Sequence, residues 1–230
     1  MKKKIGQLLL AVGTDLILLL ILLYITLGGA SKKTAEAGTM GNPDWQNKTV
    51  ALTFDDGPHR IYTRELLDGL KKRGVKATFF LMGANIEGNE ELIQQMKQDG
   101  HLIGNHGYSH VQMTGEGIEK VQNSVEKTGK IIREITGKEP EYLRPPYGDW
   151  NEELAEKMDL TPVFWSVDSL DWKYQNTPKI TKRVLKKVED GDIILMHDIF
   201  PTSVESALEI VDTLKAQGYT FVTADELMID

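Results

Sequence analysis

Apolar and polar positions alternate in blocks along most of the chain, and two kinds of block recur. Short apolar runs rich in β-branched and aromatic residues are typical of buried strands; they lie at 49–54, 77–81, 102–104, 142–144, 163–167, 193–196 and 220–222. Segments with apolar residues three or four positions apart are typical of amphipathic helices; they lie at 62–72, 90–98, 117–135, 152–157, 181–188 and 203–215. The alternation predicts an α/β fold with parallel strands and crossover helices.

The first 47 residues follow a different pattern. Three lysines precede the mostly apolar segment 5–27, which as a helix would extend about 34 Å at about 1.5 Å per residue, enough for a bilayer core of about 30 Å. Asp15 interrupts this segment, and the apolar part 16–27 has the length of a signal-peptide core. We expect 1–27 to be a membrane anchor or a signal segment, with the anchor favoured.

The same pattern predicts the domain boundaries of the chain and its location in the cell. Residues 28–47 are small and polar without apolar periodicity, so they are interpreted as a linker, and 48–230 as one domain. Lysines before the apolar segment favour a cytoplasmic N-terminus and an exported domain. The expected location is a single-pass position in the cell membrane with the domain outside, or secretion if the segment is cleaved.

Composition narrows the possible functions. The 230 residues include no cysteine, which excludes thiolate metal sites, disulfides and a cysteine nucleophile. The net charge of −7 makes nucleic acid and an anionic membrane surface poor partners, and suits a neutral sugar held by hydrogen bonds. No obligatory protein partner is predicted.

Two adjacent acids, Asp55 and Asp56, follow the apolar run 49–54. Like charges this close disfavour joint ionisation, so the pair predicts a compensating cation. His106 and His110 are four residues apart and would share one side of a helical turn, although such a pair alone is more often an exposed helix face. Aspartate with two histidines leaves one position open on a metal, as in catalytic sites.

Five segments in order resemble the motifs of metal-dependent polysaccharide deacetylases, the NodB-homology or carbohydrate esterase family 4 group. They lie at 53–57, 106–110, 144–148, 168–172 and 195–198. The resemblance spans 48–230 and implies a distorted (β/α)7-type barrel, whose active site would lie at the carboxyl ends of the strands. It also implies a divalent metal on Asp56, His106 and His110; Zn²⁺ suits this set best, while Co²⁺, Ni²⁺ and Fe²⁺ also fit.

The resemblance implies a role for each remaining site residue. Asp55 would be the general base, paired with Arg144, and His197 the general acid, paired with Asp171. The backbone N–H of Tyr147 would bind the oxyanion. The acetyl methyl pocket would be lined by Trp172 and Leu195.

The family position after the first metal histidine is usually Ser or Thr, and here it is Gly107. This departure removes no ligand but puts the rigidity of the loop in question. Three further polar residues receive no catalytic role: His59 at the edge of the site, His101 at the start of a strand, and Asp198 within its own loop.

The implied activity is removal of acetyl groups from N-acetylated amino-sugar polymers, with peptidoglycan N-acetylglucosamine as the first substrate. Chitooligosaccharides and acetylxylan would use the same residues and stay open. A different class, a non-catalytic glycan-binding module, is disfavoured because the chain keeps every implied ligand together with the base and the acid.

Overall fold

Residues 48–228, the part of the chain that the computed structural model describes, contain eight strands and eight α-helices, which alternate except where β5 is followed by β6 and α5 by α6. The strands are β1 (Lys48–Asp55), β2 (Thr78–Leu81), β3 (Leu102–Asn105), β4 (Tyr142–Leu143), β5 (Thr161–Pro162), β6 (Val167–Asp168), β7 (Asp192–His197) and β8 (Tyr219–Val222). The helices are α1 (Tyr62–Arg73), α2 (Glu90–Gln98), α3 (Ile118–Thr136), α4 (Glu152–Lys157), α5 (Asp171–Tyr174), α6 (Thr177–Lys187), α7 (Pro201–Ala216) and α8 (Ala224–Leu227).

Every strand pairing in this sheet is parallel, as the alternation predicted. The strands follow the order β5-β4-β3-β2-β1-β7-β6, and β8 pairs with the first half of β1. The result is a parallel half-barrel of α/β type, in which all carboxyl ends lie at one edge. Its core is built from apolar side chains of the central strands and the covering helices, such as Phe54, Phe79, Leu66 and Ile210.

The prediction of a single strand at 163–167 is wrong. Residues 163–166 lie outside strands and join β5 to β6, the two ends of the sheet order. Val163 N donates to Leu143 O (2.8 Å) and Ser166 N donates to Ile193 O (3.0 Å), so this segment crosses from the β4 side to the β7 side. The carbonyls of Val163 and Phe164 accept hydrogen bonds from Arg144 instead of a neighbouring strand.

Four of the predicted helices match within one residue, and two begin earlier than predicted. Helix α6 begins at Thr177, because the Asn176 side chain accepts from Lys179 N. Its Pro178 lies in the first turn, where a missing N–H costs nothing; α7 likewise begins at Pro201. The short helices α5 and α8 were not predicted, since four residues carry no readable periodicity.

No helix within residues 48–228 is both long enough and apolar enough to cross a membrane. The predicted anchor at 5–27 and the linker at 28–47 lie outside the described residues.

Candidate active site

The carboxyl ends of the strands enclose a cavity of about 380 Å³. Its lining residues are Asp55, Asp56, His106, His110, Tyr147, Trp165, Asp168, Trp172, Leu195 and His197. Eight of the ten site residues expected from the sequence are in this set, and the other two, Arg144 and Asp171, lie directly behind it.

Asp56, His106 and His110 form a compact group of ligand atoms. Asp56 Oδ1 lies 3.5 Å from His106 Nε2 and 3.7 Å from His110 Nε2. Asp56 Oδ1 and His106 Nε2 are buried and have no hydrogen-bond partner in the described part of the chain. Buried polar atoms without partners are costly, so the arrangement fits a cation held between these atoms.

The protonation of His106 also suits a metal ligand. Its Nδ1 lies 2.6 Å from the Arg144 carbonyl oxygen. Because a carbonyl oxygen only accepts, Nδ1 must carry the proton, and the Nε2 lone pair faces the cluster. Burial lowers the pKa of His110, against the opposing charge of Asp56, and so favours the neutral imidazole that binds metals.

A loop, and not the predicted helical turn, brings the two histidines together. Residues 106–110 contain no helix, and Gly107 has φ +76°. Hydrogen bonds fix this loop: Gly107 N donates to Asn105 Oδ1 (2.8 Å), Gly83 N donates to Gly107 O (3.0 Å), and Tyr108 N donates to Ser124 Oγ (2.8 Å). Glycine is suited to this left-handed backbone, and the loop is anchored at several points without a hydroxyl at this position.

The two neighbouring acids face different partners. Asp55 is the last residue of β1, whereas Asp56 has φ +73°, which turns its side chain away from the strand direction. Asp55 Oδ1 accepts from Arg144 Nη1 (2.9 Å), and its Oδ2 lies 3.9 Å from His106 Nε2. One oxygen of Asp55 is therefore held while the other faces the cluster.

Arg144 is fully buried and links several parts of the half-barrel interior. Besides Asp55, it donates to Thr53 Oγ1 (2.6 Å), Val163 O (3.1 Å) and Phe164 O (3.0 Å). A buried guanidinium requires such complete pairing, because an unpaired charge in the interior is strongly unfavourable.

His197 and Asp171 form a second buried pair. His197 Nδ1 lies 2.7 Å from Asp171 Oδ1, and His197 N donates to Asp171 Oδ2 (2.7 Å). Burial disfavours the imidazolium, but the hydrogen bond and charge of Asp171 outweigh burial and raise the pKa of His197 to about 9. The ring is thus held with Nδ1 protonated and Nε2 directed to the cavity, in the form that donates a proton.

Comparison with known proteins identifies the family of this chain. Residues 42–163 match the family model described as polysaccharide deacetylase. The chain belongs to the polysaccharide deacetylase family. It is 45% identical over 181 residues to the peptidoglycan-N-acetylglucosamine deacetylase PgdA of Listeria monocytogenes, an alignment that covers 79% of this chain and 39% of that protein.

Solved structures of polysaccharide deacetylases share the fold. The peptidoglycan deacetylase PdaC from Bacillus subtilis is 40% identical with a TM-score of 0.78, covering 80% of this chain and 92% of that one. A family 4 acetyl xylan esterase from Clostridium thermocellum, in complex with a cobalt ion, is 36% identical with a TM-score of 0.75, covering 79% and 90%. This chain spans less than half the length of the curated PgdA protein that it matches.

The cavity has an aromatic wall. Tyr147 has φ +63° and packs its ring edge-on against His110, with centroids 4.3 Å apart. Trp172 on α5 is 51% exposed, whereas Leu195 on β7 is buried. Trp165 and Asp168 also line the cavity and were not among the expected site residues. Asp168 stood within a recognised motif, but the position of Trp165 depends on the crossing segment 163–166.

The remaining polar residues serve the scaffold of the polysaccharide deacetylase site. His59 Nδ1 accepts from Tyr62 N (3.2 Å) at the start of α1. His101 Nδ1 accepts from Ala77 N (3.0 Å), and burial lowers the pKa of His101 to about 4. Asp198 is buried against Gly57 and accepts from the Thr63 hydroxyl, and burial raises the pKa of Asp198 to about 7.

Proposed function

We propose that this chain is a metal-dependent hydrolase that removes acetyl groups from N-acetylated amino sugars in glycan polymers. The observation that carries the proposal is the position of the cluster Asp56, His106 and His110, with its partnerless buried atoms. It shares one cavity with Asp55 and His197, each held by its own buried partner.

The geometry supports a separate role for each acid–base residue. A bound divalent cation supplies a Lewis acid that polarises a carbonyl and makes water easier to deprotonate. Asp55 Oδ2, free of Arg144, accepts the proton of the attacking water. His197 Nε2 donates a proton to the departing nitrogen, which an amide requires because an amine anion is a very poor leaving group. Asp171 keeps the imidazole charged until that step.

The rest of the cavity binds and orients the acetyl group. The backbone N–H of Tyr147 donates to the oxygen that becomes negative, and a preorganised donor of this kind contributes about 2.7–4 kcal/mol. Trp172 and Leu195 provide apolar contact for the methyl group. Arg144 acts through Asp55 and does not touch the substrate.

Zn²⁺ is the metal that we propose for this site. The ligand set of two imidazole nitrogens and one carboxylate oxygen, with a position left for water, is the usual environment of catalytic zinc. Co²⁺, Ni²⁺ and Fe²⁺ suit the same ligands, and metal analysis of the purified protein distinguishes them.

Peptidoglycan N-acetylglucosamine is the substrate that we propose first. PgdA is named for this activity, and the alignment to it covers most of the present chain. Chitooligosaccharide deacetylation and acetylxylan esterase activity are the alternatives, the second supported by the Clostridium esterase of the same fold. A purely glycan-binding role is disfavoured by the complete set of ligands, base and acid.

We further propose that residues 48–230 form the catalytic domain and that the half-barrel is a distorted (β/α)7-type barrel, bridged at its gap by 163–166. Residues 1–27 would anchor this domain outside the cell membrane, with 28–47 as linker. An anchored protein keeps Met1 and resists alkaline extraction from membranes. A mature N-terminus near Gly38 would instead establish cleavage and secretion.

Acetate release tests the proposed activity. The purified chain should release acetate from peptidoglycan strands, lose this activity with a chelator, and regain it when Zn²⁺ is restored. Chitooligosaccharides and acetylxylan, assayed in parallel, rank the alternatives. Absence of acetate release from all three substrates by the metal-loaded protein would reject the hydrolase.

A further inference from the structure

One face of helix α6 carries five cationic side chains in an otherwise acidic chain. We call Lys179, Lys182, Arg183, Lys186 and Lys187 the basic stripe. Their spacing of three and four residues places them on one side of the helix, opposite the buried Ile180 and Val184. The stripe extends about 12 Å at about 1.5 Å per residue. Together with Tyr174 it lines a shallow depression of about 490 Å³.

The basic stripe lacks the acidic partners that four other lysines of the described residues have. Lys71, Lys120, Lys130 and Lys138 each form an ion pair with a carboxylate. None of the ion pairs within residues 48–228 includes a residue of the stripe.

Two acids of the neighbouring helix α7 are directed elsewhere. Glu205 accepts from the Thr177 hydroxyl (2.7 Å), and Glu209 accepts from the Thr181 hydroxyl (2.9 Å). Both contacts lie on the α7 side of α6, so these two carboxylates are paired with hydroxyl groups and not with the stripe. Uncompensated charge of one sign on one face attracts a partner of the opposite sign.

Helix α5 connects the basic stripe to the cavity. Trp172, on this helix, lines the cavity, and Tyr174, two residues later, lines the depression. Lys179 Nζ lies 5.8 Å from the centre of the Tyr174 ring. Arg183 Nε donates to the backbone carbonyl oxygen of Asp168 (2.8 Å), and Asp168 also lines the cavity. Helix α5 therefore contributes one exposed aromatic ring to each, Trp172 to the cavity and Tyr174 to the depression, so the two lie on neighbouring parts of the surface.

We propose that the basic stripe is a subsite for carboxylate groups carried by the glycan strand whose acetyl group occupies the cavity. The inference rests on the proposed deacetylase function and deepens it. It assigns the preferred substrate to acidic glycans, such as strands that bear peptide carboxylates, over neutral chitin or xylan. Charge complementarity and the nearness of the cavity favour this occupant over a lipid surface.

The test uses the full chain and two forms of one substrate: peptidoglycan strands with free carboxylates, and the same strands after amidation of those carboxylates. The triple variant Lys182→Gln/Lys186→Gln/Lys187→Gln removes three charges and keeps good helix formers. At low salt we expect its KM for the acidic strands to rise roughly tenfold, with kcat unchanged. Its KM for amidated strands and for chitooligosaccharides should equal that of the wild type.

A matched variant controls for net charge. Lys72→Gln/Lys120→Gln/Lys130→Gln removes the same three charges from α1 and α3 and should leave every KM unchanged. High salt should abolish the advantage of acidic strands in the wild type. An equal KM increase in both triple variants, or a wild type that does not distinguish acidic from amidated strands, would overturn the subsite.

Two further measurements separate this proposal from its alternatives. Cosedimentation with acidic strands tests binding without catalysis. If the protein binds the strands through the stripe but releases no acetate, the deacetylase function is rejected and the subsite is retained. Cosedimentation with phosphatidylglycerol vesicles tests a lipid partner. Reduced vesicle binding by the stripe variant, with an unchanged KM for acidic strands, would assign the stripe to lipid and overturn the proposal.

Discussion

At the scale of single residues, the site gives chemically identical groups different surroundings. Asp55 and Asp56 are adjacent, yet one is held by Arg144 and the other lies between two imidazoles. His106 donates through Nδ1 to a carbonyl, whereas His197 donates through Nδ1 to a carboxylate. A carbonyl partner fixes the proton on Nδ1 and leaves Nε2 directed to the metal cluster, whereas a carboxylate partner favours a charged ring suited to proton donation.

The two acids should respond differently to amide substitution. Asp56→Asn should weaken metal binding, because an amide is a poorer ligand than a carboxylate, and high metal concentration should restore part of the activity. Asp55→Asn should keep the metal and remain nearly inactive, since an amide does not accept the proton of the attacking water. Metal stoichiometry measured alongside acetate release distinguishes them. If Asp55→Asn lost the metal and Asp56→Asn retained it, Asp55 would be the metal ligand and Asp56 the general base.

The pH profile should report the Asp171–His197 pair. In the proposed mechanism the protonated form of His197 is the active one. Its pKa of about 9 lies above the ordinary value of 6.5, so kcat should fall as the pH rises through about 9. Asp171→Asn removes the charge that raises this pKa, and the alkaline limb should move to lower pH. An identical alkaline limb in Asp171→Asn and wild type would argue against the pair.

The variant His197→Ala should lower kcat by roughly 10²–10⁴-fold with metal content unchanged.

At the scale of elements, loops and strand ends position more of the site residues than helices do. The apolar periodicity located four helices within one residue, because amphipathic spacing reflects burial of one face. It did not reveal the break in the predicted strand at 163–167, because the hydrogen bonds that stop this strand come from Arg144, about twenty residues earlier.

The loop 106–110 should depend on glycine at position 107. Gly107→Ala places a Cβ on a backbone with φ +76°, which costs about 1–2 kcal/mol. We expect weaker metal binding, because both histidine ligands are carried by this loop. Gly115→Ala, at a glycine with open space and no positive φ, is the matched control. Metal titration of both variants measures the effect, and equal affinities would show that the loop tolerates the strain.

At the scale of the whole molecule, Arg144 connects β1, the end of β4 and the crossing segment within the interior. Its charge is compensated by Asp55 and by backbone carbonyls, and not by solvent. The half-barrel therefore has a polar centre beneath the cavity, and its stability depends on complete pairing there.

Removal of this guanidinium should be costly. In the metal-free protein, Arg144→Met should lower the free energy of unfolding by about 3–5 kcal/mol, because Asp55 is left buried and unpaired. Asp55→Leu/Arg144→Met should recover most of the loss. Arg73→Met, which breaks the surface pair with Asp212, should cost at most about 1 kcal/mol. Denaturant unfolding measures all three, and similar losses for Arg144→Met and Arg73→Met would contradict the buried-pair account.

The sequence by itself determined the class of fold and named eight of the ten residues that line the cavity. Period-two and period-3.6 patterns are local consequences of burial, so the parallel α/β alternation was readable, and five motifs in order named the residues that meet at the strand ends. Tertiary structure decided what local patterns do not contain. Gly107, with its left-handed backbone, lies in the loop that brings the histidines together without a helix. The segment 163–166 places Trp165 at the cavity, and Arg144, distant in the chain, binds two carbonyl groups of this segment. Each depends on contacts between residues far apart in the chain or on a backbone conformation that no single side chain specifies.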